Sequence, residues 1–306
     1  MTITAQLVSS LREKTGAGMM DCKKALVETN GDFEAAVDWL RTKGLAAAAK
    51  KAGRIAAEGL TAVCVKGTKG AAIEINSETD FVSRNEIFQN LVKEIANLAV
   101  DNANFDALST VKAKSGKTVQ DEIVSNVATI GENLTLRRVN GISVTDGVIA
   151  SYVHNASATD MGSIAVLVAL ESKGDKGKLM EIGKQIAMHI AASRPQSLTK
   201  EGISQEIIQK EKDVFTEQSR ASGKPDDIIA KMIDGRIRKF LEEIVLLDQV
   251  FVIDGKSKIS DVVSNLAKEL GTPVELKSYI RYEIGEGIEK EEKNFADEVA
   301  AAGGRV

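Results

Sequence analysis

The chain has 306 residues, 43% hydrophobic and 27% charged, an ordinary globular composition rather than that of a disordered chain. That length exceeds what one core usually serves, so two or three domains are expected. The formal charge of −4 gives no general attraction to a polyanion, which disfavours DNA or RNA as a direct partner.

No apolar run is long enough to span a bilayer. The N-terminus "MTITAQLVSSLREKTG" reads as an amphipathic helix without a signal peptide's apolar core. The expectation is a cytoplasmic chain that meets no membrane. Cys22 falls in an apparent helix and Cys64 in an apparent strand, with neither metal nor secreted spacing. Both are expected to be reduced and buried.

Taken in chain order, residues 3 to 46 form a small three-helix unit. Ile3, Leu7, Val8 and Leu11 recur at three and four, giving the first helix one apolar face. "KTGAGMMDCKKALVETNGD" supplies a Gly-rich turn, a second helix and an Asn30-Gly31 stop. Asp32 is placed to cap a third helix, with Phe33, Ala36, Val37 and Leu40 inward. An Ala/Lys/Gly connector follows.

After Gly59 the period changes to that of strands. "LTAVCVKGTKGAAIEIN" predicts a hairpin around "KGTKG". A helix over 86–100 follows, with Ile87, Leu91, Ile95 and Leu98 on one side, and Ser83 with Glu86 matching a capping box at its start. A polar helical insertion leads to the strand "LTLRRVNGISV". The layout then repeats: Glu58-Gly59 is answered by Asp146-Gly147, and "VELKSYIRYEIG" answers the earlier third strand.

Residues 203–247 belong to neither repeat and predict an antiparallel helical hairpin turning at "ASGKPDD", with Pro225 opening its second helix. The last segment, 286–306, predicts a helix with Ile288, Phe295 and Val299 on one side. The fold class is therefore α+β and multidomain. Its segments are 1–54, 55–145, 146–202 with 248–285, 203–247 and 286–306.

Catalytic chemistry is scarce. His189 lies in an apolar helix and reads as structural; His154 lies beside the turn "HNASATDMG" with no evident catalytic partner. "GAGMMDCKK" lacks the P-loop spacing and no strand precedes it, and the "GEG" at Gly285 lacks the third glycine of a dinucleotide fingerprint. No cofactor or metal is expected.

Apolar residues in awkward places remain. Of Met19 and Met20, one can enter the small core, but adjacent helical side chains diverge. The other covers a neighbouring helix or offers an adaptable contact to a partner. Phe81, in "INSETDFVSRNEIF", is either a staple onto its own helix or a ring held out for a partner's pocket.

"LVSSLREKTGAGMMDCKKAL", "NGDFEAAVDWLR", "INSETDFVSRNEIF", "IAMHIAASRP" and "RYEIGEGIEKEEKNFADEV" together resemble the bacterial translation elongation factor Ts family. The resemblance covers essentially the whole chain. It implies a ubiquitin-associated-like first module, two related core subdomains, a dimerising helical hairpin and a C-terminal helix. It implies a guanine-nucleotide exchange factor for the GTPase elongation factor Tu, not an enzyme with covalent chemistry of its own.

By motif, Asp80 and Phe81, flanked by Thr79 and Val82, are the implied wedge at the GTPase's magnesium region. Met19 and Met20, with Arg12, are the implied contacts of the first module. His154 is the implied contact of the second subdomain, although "HNASATDMGSIAV" is longer than the family pattern. A homodimer or a 2:2 complex through the hairpin is the further implication.

Overall fold

Two β-hairpins, each followed by a helix and later joined by a third strand, organise the chain. The computed structural model describes residues 3–15, 17–220 and 226–289. Three helices come first: α1 (Ala5–Thr15), α2 (Met19–Glu28) and α3 (Phe33–Lys51). Val8, Leu11, Cys22, Ala25, Leu26 and Ala36 form their shared core. Asp32 caps α3 by accepting from Ala35 N at 2.9 Å, and the helix continues through the Ala/Lys connector.

The first hairpin is β1 (Glu58–Lys66) and β2 (Lys69–Ser77), joined by a two-residue turn with Gly67 at φ +59°. Then come α4 (Glu86–Ala99), α5 (Phe105–Thr110), α6 (Val119–Ile130) and β3 (Thr135–Ser143), which pairs with β2. The second hairpin is β4 (Gly147–Ala158) and β5 (Met161–Glu171), followed by α7 (Lys176–Ser193). After α8 (Gln205–Arg220) and α9 (Asp226–Ile244) come α10 (Ile259–Leu270) and β6 (Glu275–Glu283), which pairs with β5.

Both halves therefore have one layout, a third strand added beside the hairpin's second strand. Among the described residues the strands β1 and β5 join them in the antiparallel sheet by the short register Thr61↔Gly162 and Ala62↔Met161, which Val63 N extends by donating to Asp160 O at 2.9 Å. Elsewhere the halves pack through Val63, Ala72, Val144, Ile149, Ala165, Leu167, Ala169 and Ile280. The outer face of the first half carries α4 and α6; that of the second carries α7 and α10. Strand β2 is buried on both faces: Ala71, Ile73 and Ile75 join the helix-side core while Ala72 joins the inter-sheet core.

Gly59 and Gly147, matched by the internal repeat, adopt φ +117° and +143°. A Cβ at either would collide with the carbonyl oxygen of Ile75 or Leu170, respectively, on the neighbouring strand. This close backbone approach explains why both copies begin with glycine.

Four expectations change. Asn85, not Ser83, caps α4, its side chain accepting from Ile87 N and Phe88 N; the Ser83 hydroxyl donates to Asp80 O instead. The buried face of α4 is Phe88, Leu91, Val92, Ile95, Ala96 and Ala99, leaving Ile87 half-exposed. "HNASA" is strand, and the β4–β5 turn is only Thr159-Asp160. Cys64 is only partly buried, its thiol 3.5 Å from Asn97 Oδ1.

Helices α8 and α9 pack against one another as a hairpin, with Ile229, Ile237 and Ile244 buried on α9. Its base is tied to the body where Leu246 N donates to Ser197 O at 2.8 Å. Pro225 lies outside the described residues, as does the expected C-terminal helix beyond 289; residues 286 and 287 form a turn. No described helix is long and apolar enough to cross a membrane.

His189 is a packed structural residue. Its Nδ1 accepts from Val252 N at 3.3 Å, which leaves the proton on Nε2, 2.9 Å from Gln249 Oε1. Gln249 in turn donates to Ser193 O and Glu243 O, and the Phe251 ring lies 5.9 Å from the imidazole.

Two stability predictions follow from these contacts. Gly147→Ala should lower unfolding free energy by about 1–3 kcal/mol in urea titration, through strain and the carbonyl collision. Burial pushes the His189 pKa below its usual value. The native state therefore takes up this proton less readily than the unfolded chain. That share of stability is complete above the unfolded pKa of about 6.5 and is lost as pH falls toward the native pKa. Denaturation at pH 7.5 and 5.5 should show a smaller loss in His189→Gln than in the parent chain.

Candidate protein-binding site

Between β2 and α4 the chain turns through one 3-10 segment, Asp80–Arg84. Its two central apolar residues point oppositely. Val82 is buried in the core beneath α4, taking the place a staple would fill. Phe81 is 80% exposed, the most exposed large apolar side chain described.

The turn is held from behind. Glu132, just after α6, accepts from Thr79 N at 2.9 Å and from the Thr79 hydroxyl at 2.6 Å. Glu78 accepts from Asn133 N at 2.6 Å and lies 3.4 Å from the Arg54 guanidinium. Asn133 closes the ring by donating to Arg54 O at 2.9 Å. On the far side, Gln89 donates to Ser83 O at 2.9 Å. Asp80 is exposed beside the ring. The aromatic is thus presented on a fixed backbone, which lowers the ordering cost of a contact.

In the first module Met19 and Met20 are both exposed, 53% and 75%. Neither enters the core, whose α2 positions are filled by Cys22, Ala25 and Leu26. Val27 lies seven residues after Met20, so the two share a face of α2, with Lys24 between them. Arg12 is exposed on α1.

This module is seated on α6. Lys117 donates to Thr15 O at 3.3 Å, Arg41 lies 3.4 Å from Asp121, and Gly44 faces Ala128. Helix α6 therefore supports the module along its length and, just beyond its end, braces the Phe81 turn.

His154 is exposed on β4, its Nδ1 3.0 Å from the Tyr152 hydroxyl. No hydrogen bond or ion pair links Arg12, Met19, Met20, Phe81 and His154 to one another. They are separate surfaces rather than one convergent centre.

One surface escaped the sequence reading. Val250, Val252 and Ile253 are each about half-exposed around a buried Phe251. Asp254 closes that loop by accepting from Lys256 N and Ser257 N, bonds that hold its carboxyl below the usual range. The available signal was "VFVIDG", an apolar run ending in a turn with no partner strand in the pattern.

Comparison with known proteins agrees with these motifs. The family model described as Elongation factor TS matches residues 78–286. Elongation factor Ts of Rickettsia rickettsii (strain Sheila Smith) is 58% identical over 302 residues, covering 98% of each chain. That of Rickettsia bellii (strain OSU 85-389) is also 58% identical with the same coverage, and that of Rickettsia typhi (strain ATCC VR-144 / Wilmington) is 56% identical. A match of this extent shows family membership: the chain belongs to the elongation factor Ts family.

Proposed function

We propose that this chain is a guanine-nucleotide exchange factor for elongation factor Tu and works by pressing Phe81 into the GTPase near its magnesium and phosphate site. The observation that carries the reading is the large ring standing in solvent on a turn braced by Glu78, Glu132 and Asn133. Asp80 supplies the adjacent polar contact, and Thr79 and Val82 fix the turn from within. Met19, Met20 and Arg12 form a second contact through the first module. His154 and the Val252–Ile253 loop form a third on the second half.

The energetic logic needs no covalent step. A factor that binds the distorted nucleotide site more tightly than the intact one must weaken nucleotide binding by the same factor. Each tenfold of weakening corresponds to about 1.4 kcal/mol. Burying one phenylalanine contributes roughly 1.5–3 kcal/mol, enough for about one to two decades. A larger coupling therefore requires the other surfaces, with Phe81 deciding where the strain falls. GTP then displaces the factor through the same linkage in reverse.

Ile207, Val214 and Ile228, exposed on the α8–α9 hairpin, favour a further reading in which that hairpin joins two copies as a homodimer or a 2:2 complex. The reading places the chain in the cytoplasm, with the translation machinery.

Stopped-flow release of fluorescent GDP from elongation factor Tu tests the central claim. Phe81→Ala should slow stimulated release by about 10–100-fold while leaving the unfolding midpoint of the free chain in place. Release at parental speed sinks the wedge. Glu132→Ala should slow release by a smaller factor, because the ring remains but Thr79 loses both acceptors. A release curve indistinguishable from the parent would show that this brace does not matter. A structural adaptor that only oligomerises through the hairpin would instead bind the GTPase without accelerating nucleotide loss.

A further inference from the structure

Glu74 is a fully buried carboxylate in β2, on the face that looks toward the second half of the sheet. Four donors converge on it. Arg137 Nη1 lies 3.1 Å from Oε1, Arg138 Nε bonds Oε2, Asn76 Nδ2 donates at 3.2 Å and Gly285 N donates at 2.8 Å.

Consecutive strand residues normally face opposite ways. Here the β2–β3 register slips between Glu74 and Ile75: Glu74 faces Arg138 and Ile75 faces Leu136, leaving Arg137 as the extra residue. That bulge turns two adjacent guanidinium groups toward one acid.

The same arginines then hold the chain leaving β6. Arg137 donates to Glu286 O at 2.6 Å. Arg138 donates to Glu283 O at 2.7 Å, pairs with the Glu286 carboxylate at 3.1 Å and stacks 4.4 Å from the Tyr282 ring centroid. Arg281 pairs with Glu283 and Glu286 from the other side. Gly285 sits so close to Ala57 that a Cβ would collide with the Ala57 carbonyl oxygen. One cluster therefore joins β2, β3, the end of β6 and the segment before β1.

A buried ionic cluster is weak evidence for added stability, because desolvation offsets its attraction; its best-attested use is to specify one register. Two buried atoms at this seam, Asn76 Oδ1 and Arg281 Nε, have no hydrogen-bond partner among the described residues, which argues further against a gain in stability as its purpose. Strand β2 runs from Glu74 through Asn76, which also donates to Glu58 O at 3.3 Å, directly into the Phe81 turn.

We infer that Glu74 is a positioning residue for the Phe81 turn: its cluster locks the two halves of the sheet in one register, so that contact made by the second half is delivered rigidly at Phe81. This rests on the exchange reading above. The cluster touches no partner in this scheme and acts only through the aromatic.

The test is GDP release from elongation factor Tu over a range of factor concentrations, with Glu74→Gln, Glu286→Gln and each combined with Phe81→Ala. Glu74→Gln should lower the plateau rate about fivefold and move the half-saturating concentration less than about twofold. In the Phe81→Ala background it should cost nothing further at the plateau, because the two act as one unit. Glu286→Gln, on the solvent side of the cluster, should give about a twofold loss with the same non-additivity. It should also speed amide hydrogen exchange of residues 79–84.

An unchanged plateau, or a loss that multiplies fully with Phe81→Ala, overturns the inference. Should Glu74→Gln fail to fold, Glu286→Gln decides by the same two measurements. Phe81→Ala releasing at parental speed refutes the exchange reading instead, and amide protection over 79–84 then still decides whether the cluster holds the turn.

Discussion

The two halves of the sheet pack against each other through one shared apolar layer, and most of the architecture depends on that contact. Gly70, Ala72, Ala165 and Ala169 make room in that layer for Ile149, Leu167 and Ile280. A Cβ at Gly70 would lie 2.8 Å from Ile149 Cγ2. Close packing of this kind tolerates little relative sliding, since interiors are as dense as organic crystals. On the outer faces α4, α6, α7 and α10 cover two further apolar clusters.

A packed centre leaves peripheral elements to hold apolar side chains in solvent. Helix α6 is the main intermediary, with the three-helix module seated along it and Glu132 and Asn133 just past its end holding the Phe81 turn. On the other half, His189 and Gln249 pin the loop whose outer residues are Val252 and Ile253. In both places a buried polar residue fixes the backbone, and the exposed apolar side chain beside it is left available. Exposed apolar groups presented on ordered backbone are what protein recognition requires, because little conformational freedom remains to be lost.

Much of the element order was legible from hydrophobic period and turn glycines, including the two hairpins and the repeat, but helix α10 was not. Gly59 and Gly147 marked that repeat for a reason the structure makes physical, a carbonyl lying where a side chain would be. The capping of α4 was misassigned because Ser83 and Asn85 both have capping side chains, and only the path of the 3-10 turn selects Asn85. Ile87 fits the helical stripe by spacing, yet Phe88 takes the inward position of the first turn and leaves Ile87 half-exposed. The Val250–Ile253 loop was missed because an apolar run reads as core unless the surrounding contacts are known.

By itself, the sequence determined the α+β class, the turn of the first hairpin, the scarcity of catalytic groups and the set of motifs shared with the elongation factor Ts family. Those properties are local or compositional, so period, glycine and side-chain chemistry suffice to specify them. Tertiary structure alone decided that Phe81 faces solvent while Val82 does not, that both methionines stay outside, and that Glu74 gathers donors from β3 and from the end of β6. Each of these depends on which distant segment occupies the neighbouring space, a long-range fact that no local pattern encodes.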